Sequence, residues 1–454
     1  MYKPAQFIVS RLGKCTIPSP LKLSKRLGDG VFNYIHDDER VLYKANLEYY
    51  NSCRKHDTEP VSFEKAGPKQ HIYFDPTKTK VAIVTCGGLC PGLNNVIRGL
   101  VMQLYSRYGV KRIIGIKYGY QGFIPEYKHD IIELTPELVE DIHMHGGTIL
   151  SSSRGHQEPK LIVDALERLN TNILFTIGGD GTLRGAQAIV DEISKRGLKI
   201  AVASIPKTID NDINLIEKSF GFETAFTIAS DILRGAHNEA KGAFNGIALV
   251  KLMGRDSGFI SANASLSVQE VNFVIIPEME FELYGPKGFL TILRKRLERK
   301  NHALIVVAEG AGQNLFENNH NTNDASGNID YKDIGILLKE KIKEEFNNKN
   351  FPYTLKYIDP SYIIRSAPAN ANDSLFCNLL AQNAIHGAMA GRTGFVVGYW
   401  NSQFTLLPIA MAIKQRKKIS IEGELWSNVL ETTGQPKQFK NTSDTIRVSK
   451  NESF

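Results

Sequence analysis

A chain of 454 residues exceeds one ordinary domain, so two or three are expected. Its hydrophobic fraction of 42% and charged fraction of 23% are those of a folded globular protein, and no apolar run approaches the ~20 residues a membrane helix needs. The net charge of +7, with 48 acidic residues present, is a modest excess that suits phosphorylated substrates or simply keeps the protein in solution, and no basic stripe interleaved with aromatics argues for nucleic acid.

Residues 1–78 are aromatic-rich (Phe32, Tyr34, Tyr43, Tyr49, Tyr50) with weak periodicity, and read as an ordered N-terminal extension packed on the main body. Met1–Leu12 lacks the apolar core of a signal peptide. From Lys80 a regular alternation begins. Val81–Cys86 is a strand ending in Gly87-Gly88, and Leu93, Val96, Ile97, Leu100, Val101 and Leu104 follow at helical spacing. Ile113–Ile116, Ile173–Ile177, Ile200–Ile205, Ile247–Leu252, Phe273–Ile276 and Leu304–Ala308 read as buried strands, with helices expected between them at Pro136–Met144 and Leu161–Leu169. Such alternation predicts an α/β fold of mainly parallel sheets with helices on both faces. The strand count exceeds one ordinary sheet and divides into two α/β domains. Gln313–Asp333, rich in Asn and Asp, reads as a mobile surface insertion.

The five cysteines give no disulfide framework, which fits a reducing, cytoplasmic setting. Cys86 and Cys90 flank a loop, Gly87-Gly88-Leu89, that reads as a phosphate loop rather than a zinc ligand pair. Its glycines allow a tight turn, and the helix start beyond offers unpaired N–H groups to an anion. A Walker-type Gly-Lys-Ser/Thr and a Gly-x-Gly-x-x-Gly are both absent. Ser151–Gly155 sets Arg154 beside small hydroxyls, where a guanidinium can neutralise charge on a transferring phosphoryl group; the plain alternative is a solvated arginine. Thr176–Thr182 puts Asp180 among glycines just after a strand, suited to Mg²⁺ beside phosphates or, more plainly, to helix capping.

Pro206–Asp212 packs Thr208, Asp210 and Asp212 at alternate positions, on one side if the segment is extended. Asp210 is the central carboxylate and the candidate general base, against the plainer reading of an Asx-rich turn. Later strand ends offer Met253-Gly254-Arg255, Glu309 and Tyr362-Ile363-Ile364-Arg365, whose cations suit a phosphate monoester and whose carboxylate suits sugar hydroxyls.

Taken in order, GGLCPGLN, SSSRG, GGDGT, PKTIDND, FGFETA, KLMGRDSG, AEGAG and YIIR resemble the ATP-dependent 6-phosphofructokinase family over roughly residues 80–415. The likeness is to its long, pyrophosphate-enzyme-like branch of plants, trypanosomatids and spirochaetes. It implies a glycolytic kinase transferring the γ-phosphoryl group of ATP to the 1-hydroxyl of fructose 6-phosphate. By the resemblance, Gly88, Arg154, Gly155, Gly179, Asp180, Gly181 and Thr182 contact ATP, and Asp180 binds Mg²⁺. Thr208, Ile209 and Asp210, then Met253, Gly254, Arg255, Glu309 and Tyr362–Arg365, hold the sugar phosphate, with Asp210 as base and Arg154, Lys207 and Thr208 assisting. The implied domains are 79–221 with 365–413 for ATP, 222–364 for fructose 6-phosphate, and a helical tail over 414–454.

Two positions bear on the donor. Pyrophosphate users typically carry Asp where this chain has Gly181, and an Asp there obstructs a nucleotide. Lys207 instead resembles the pyrophosphate type, whose phosphotransferase is the alternative reading. Gly181 is the stronger sign, because excluding a donor needs a blocking group. A lipid or NAD kinase shares only Gly-Gly-Asp-Gly-Thr, and a catalytically dead regulatory subunit would not need the full set. The short bacterial enzymes borrow arginines across an interface; here Phe244–Ile247 supplies none and Lys356 stands near another such place. Carry-over of their allosteric control is therefore not implied, whereas a homotetramer is.

Overall fold

The computed structural model describes residues 2–316 and 331–441. These form two compact units, one from residues 2–228 with 362–417, the other from 229–316, 331–361 and 418–441. The first unit holds a nine-stranded sheet. From edge to edge its strands are Arg40–Leu42, Ser62–Lys65, Gln403–Pro408, Phe395–Trp400, Ala201–Pro206, Ile173–Gly178, Lys80–Thr85, Arg112–Ile116 and Ile131–Glu133. The five from Phe395–Trp400 to Arg112–Ile116 run parallel, and both margins are antiparallel. Val81–Thr85 and Ile173–Gly178 are buried at every position, as strands covered on both faces must be.

The second unit is a smaller α/β body. Its four-stranded sheet, in the order Phe273–Ile275, His302–Ala308, Gly246–Leu252 and Thr354–Ile358, is wholly parallel. Phe281, Phe289, Leu293, Phe346 and Phe439 pack into its core. Phe439 comes from the C-terminal segment, whose helix is confined to Glu424–Thr433, so the described tail is helical only in part.

One expectation changes. Pro136–Met144 forms no α-helix, only turns and a single 3-10 turn at Ile142–Met144. One of its carbonyls finds a partner elsewhere: Arg98 Nε donates to Glu140 O at 3.0 Å, and just past the segment Asn94 Nδ2 donates to His145 O at 3.1 Å. The Arg98 bond satisfies a backbone acceptor that a helical ladder would otherwise take up. The expected insertion Gln313–Asp333 lies mostly outside the described residues, at 317–330. Its flanks are regular: Gln313–Leu315 is a 3-10 turn, and the Asp333 carboxylate caps the helix Ile334–Asn348 by accepting the Ile336 N–H at 3.0 Å.

The N-terminal extension is part of the first unit's sheet. It supplies both strands at one margin, and Phe7 and Phe63 join the same core as Val84 and Leu174. A buried ion pair secures it: Arg392 Nε donates to Glu64 Oε1 at 2.9 Å, and Arg392 Nη2 to Asp37 Oδ1 at 2.7 Å. Arg392 is 1% exposed, so losing its buried partner leaves the charge with only the exposed Asp37 carboxylate to compensate it. Glu64→Leu is expected to cost about 3 kcal/mol, read as a lower urea midpoint. An unchanged midpoint would show that the extension is held by its aromatic contacts alone.

Candidate active site

The adjacent strands Ala201–Pro206, Ile173–Gly178 and Lys80–Thr85 end at the same sheet edge, with Pro206 opposite Gly178 and Ile177 opposite Thr85. Loops leaving the carboxyl ends of parallel strands are where α/β sheets bind ligands. Here those loops carry Gly87-Gly88, Gly179–Thr182 and Lys207–Asp212. They are laced by backbone bonds, Cys86 N–H to Ile177 O and Lys207 N–H to Gly178 O, each 3.0 Å. Beyond the first loop Gly92, at φ 101°, caps the helix Leu93–Gln103; a Cβ there would stand 2.7 Å from Cys377 Sγ.

Cations gather at the glycine loop. Lys207 is buried and its Nζ donates to Gly88 O at 2.8 Å. Burial pushes its ammonium below the usual lysine range; the Cys90 and Cys86 thiols oppose that, and Arg365 and Arg154 push it further down. Arg154 Nη2 stands 3.3 Å from where a Cβ on Gly88 would be, so Gly88 makes room for the guanidinium. The Ser151–Ser153 segment is pinned beside it, with Ser152 Oγ donating to Gly87 O at 2.6 Å and Gly87 N–H to Ser153 O at 3.1 Å. Two positive groups set against backbone glycines, with Arg365 acting on one of them, form a place for a polyanion. Cys86 and Cys90 are buried, the Cys86 thiol is pushed up to about 12 by burial, and Cys90 Sγ donates to Phe220 O.

Asp180 begins the helix Asp180–Lys195, whose N-cap is Gly179. It therefore meets the positive end of the helix dipole without being the cap itself. Its carboxylate pairs with Arg184 Nε at 3.0 Å and with Arg416 Nη2 at 3.7 Å. Gly181, next in line, is exposed, and a Cβ built on it meets no atom within 4 Å. Thr182 is buried, and its carbonyl accepts from Tyr120 OH at 2.8 Å.

The acceptor loop is not extended, so Thr208, Asp210 and Asp212 do not alternate along a strand. Ile209-Asp210 is a turn, and Asn211 takes a left-handed φ of 53°. Small polar residues drive the turn by bonding their own backbone. The Thr208 hydroxyl donates to Asp212 Oδ1 at 2.9 Å while accepting the Asp210 N–H at 3.2 Å, and Asn211 Oδ1 accepts the Ser219 N–H at 3.0 Å. Asp212 is buried and tied to Arg416, which leaves the half-buried Asp210 as the loop's candidate base.

The remaining predicted residues divide between the units. Met253, Gly254, Arg255 and Glu309 belong to the second, where Glu309 N–H donates to Leu252 O at 2.8 Å and Gly310 N–H to Gly254 O at 3.1 Å. Arg255 lies over the Tyr331 ring at 5.1 Å, and the Met253 side chain is fully buried. Tyr362–Arg365 belongs to the first unit within a short helix, Ser361–Ser366. Tyr362 and Ile363 are exposed, Ile364 is fully buried and supports the helix, and Arg365 lies close enough to Lys207 to depress it. Lys356 is ion-paired with Glu239, and Lys251 with Asp333 and Asp359.

Residues 80–388 match the model of the family described as Phosphofructokinase. This chain belongs to the phosphofructokinase family. It is 50% identical over 441 residues to the ATP-dependent 6-phosphofructokinase of Borreliella burgdorferi, covering 96% of this chain and 98% of that one. It is 44% identical to ATP-dependent 6-phosphofructokinase 7 of Arabidopsis thaliana, covering 96% and 88%. Among solved structures, a pyrophosphate-dependent phosphofructokinase from Marinobacter aquaeolei superposes with a TM-score of 0.64 at 18% identity, covering 81% of this chain and 94% of that one. That likeness speaks to the fold.

In this phosphofructokinase two anchoring groups lie outside the motifs by which the sequence is read. Arg416 and Lys417 come from the basic run Lys414–Lys418. Lys417 Nζ donates to Ile216 O at 2.7 Å and Glu217 O at 3.1 Å, and burial pushes its ammonium down to about 7 against Asp212 and Glu217. The buried Asp373 accepts both the N–H and the hydroxyl of Thr224 at 2.7 Å, fixing the FGFETA segment. Neither has a local sequence signal, since each depends on a partner far along the chain.

Proposed function

We propose that this phosphofructokinase transfers the γ-phosphoryl group of ATP to the 1-hydroxyl of D-fructose 6-phosphate, giving fructose 1,6-bisphosphate and ADP. The observation that carries the donor is the open space at Gly181 beside Asp180. The relatives at 44–50% identity carry ATP-dependent names, in keeping with it. In the reaction the sugar O1 forms a bond to the γ-phosphorus as the bond to the ADP oxygen breaks. Asp210 takes the O1 proton, Thr208 and Ile209 set the turn that aims it and hold the acceptor with it, and Lys207 and Arg154 stabilise charge on the phosphoryl oxygens. Gly88, Arg154, Gly155 and Gly179–Thr182 bind ATP, and Met253, Gly254, Arg255, Glu309 and Tyr362–Arg365 serve the sugar phosphate. On this reading 79–221 with 365–413 is the ATP domain and 222–364 the sugar-phosphate domain.

A divalent metal, which we take to be Mg²⁺, fits at Asp180. Mg²⁺ is usually held by one or two carboxylates plus substrate phosphates, so a single carboxylate at the phosphate loop is a sufficient protein share. The competing Arg184 side chain is 57% exposed, and an ion pair of that kind is worth roughly 0–1 kcal/mol, too little to hold the carboxylate against a cation. When bound, the metal would draw charge from the phosphate oxygens. We assign a cytoplasmic homotetramer by likeness; sedimentation tests the assembly, and no described helix is long and apolar enough to cross a membrane.

Lys207 favours a second reading, pyrophosphate as donor. Its Nζ is engaged at Gly88 O and places no bulk at Gly181. A coupled assay with fructose 6-phosphate, Mg²⁺ and either donor is expected to show turnover with ATP and little with pyrophosphate. The reverse result would transfer the chain to the pyrophosphate users.

A further inference from the structure

The geometry points to Arg416 as a positioning residue that couples the donor-side carboxylate to the acceptor base. The inference rests on the reading of Asp180 as metal ligand and Asp210 as base. Arg416 lies in the segment after the last strand of the first unit's sheet, 204 residues beyond Asp212, and belongs to none of the motifs. Its backbone forms an antiparallel bridge with Ile213, so its side chain is delivered to the acceptor loop by main-chain pairing. From there the guanidinium reaches both ways. Nη1 donates to Asp212 Oδ2 at 2.7 Å, and Nη2 stands 3.7 Å from Asp180 Oδ2.

Beyond Asp212 the chain of contacts continues to the base. Asp212 Oδ1 accepts from the Thr208 hydroxyl at 2.9 Å, and Thr208 Oγ1 accepts the Asp210 N–H at 3.2 Å. Each link depends on the one before it. Asp212 uses one oxygen for Arg416 and the other for Thr208, and the Thr208 proton committed to Asp212 fixes the hydroxyl so that a lone pair faces the Asp210 N–H. A fork with two separate donor nitrogens can serve two carboxylates at fixed spacing; a lysine ammonium is a single point on a flexible stem. Asp212 is 5% exposed, so it needs a cationic partner, whereas Asp180 has Arg184 as a second one. The firm end of the relay is therefore Asp212, and the looser contact at 3.7 Å sets the distance to the donor side. Arg416 touches no reacting atom in this scheme. It fixes where Asp210 sits relative to Asp180.

Arg416→Ala, Arg416→Lys, Asp212→Asn and the Arg416→Ala/Asp212→Asn double variant test this in the full chain. A misplaced base is expected to lower kcat by ~10²-fold in Arg416→Ala with KM for ATP nearly unchanged. Arg416→Lys should recover only part of the loss, and the double variant should be no worse than the poorer single, because both break one chain. Hydrogen exchange on the protein without substrates supplies a readout independent of turnover. In Arg416→Ala the Asp210 and Lys417 amides should exchange roughly tenfold faster while the Ala201–Pro206 strand keeps its protection. Additive losses, unchanged kcat, or faster exchange throughout the first unit would each overturn the proposal. If the unsubstituted protein turns over neither donor with fructose 6-phosphate, the functional reading fails, and the exchange pattern still decides whether Arg416 holds the loop.

Discussion

Asp210→Asn is expected to lower kcat by ~10²–10⁴-fold, the range that general-base assistance contributes, with substrate binding and the thermal midpoint nearly unchanged. The substitution keeps the shape of the side chain and removes its ability to take a proton. The loop should survive it, because Asp210 is held by its own backbone N–H to Thr208 and not through its carboxylate alone. Around it, Asn211 is bonded to Ser219 and Glu217, and Asp212 to Thr208 and Arg416. Steady-state kinetics with fructose 6-phosphate varied at saturating ATP separates the two effects: a fall in kcat with KM held marks a group acting on the reaction itself. A variant that turns over at the original rate would remove Asp210 from the mechanism and return the loop to a purely structural Asx turn.

Gly181→Asp should lower kcat/KM for ATP by ~10²-fold, corresponding to ~2.7 kcal/mol, as a carboxylate set beside nucleotide phosphates costs several kcal/mol by like-charge contact. Use of pyrophosphate, which has no group beyond the two phosphates to be obstructed, should persist or rise. The structure makes this a clean experiment. Gly181 is exposed on the first turn of the helix Asp180–Lys195, and a Cβ there meets nothing within 4 Å. An acidic side chain in a helix's first turn is also favourable for the helix, so a loss of activity cannot be assigned to unfolding. Its neighbours would not permit the same test: a Cβ at Gly178 would stand 2.1 Å from Thr182 Oγ1. ATP use unaffected by Gly181→Asp would show that donor choice is made elsewhere, with Lys207 the first place to look.

The central strands and the loops after them were legible in the sequence because their signals are local. Val81–Cys86 and Ile173–Ile177 are apolar runs, each with a single threonine, followed at once by glycine, and the strands end within a residue of those positions. Pro136–Met144 reads as helix because its apolar spacing is compatible with one, and nothing nearby reveals that Arg98 takes up the Glu140 carbonyl and Asn94 the His145 carbonyl just beyond. The strands Phe395–Trp400 and Gln403–Pro408 went unread, as did those of the N-terminal extension, although Phe395–Trp400 lies beside Ala201–Pro206 in the sheet.

The sequence by itself determined the chemistry on offer: glycines where phosphates approach, carboxylates at Asp180 and Asp210, and cations at Arg154 and Lys207. Each is set by residue type and by its place after a strand, and both are properties of short segments. Tertiary structure alone decided which of those groups are free to act and which are held. It turned Thr208–Asp212 back on itself, spent Asp212 on Arg416, buried Lys207 against Gly88, and brought Arg365 to its side. The turn closes through bonds two and four residues long, but the other outcomes depend on partners more than 100 residues away, and a contact between distant segments has no signature in either one until the strands between them have paired.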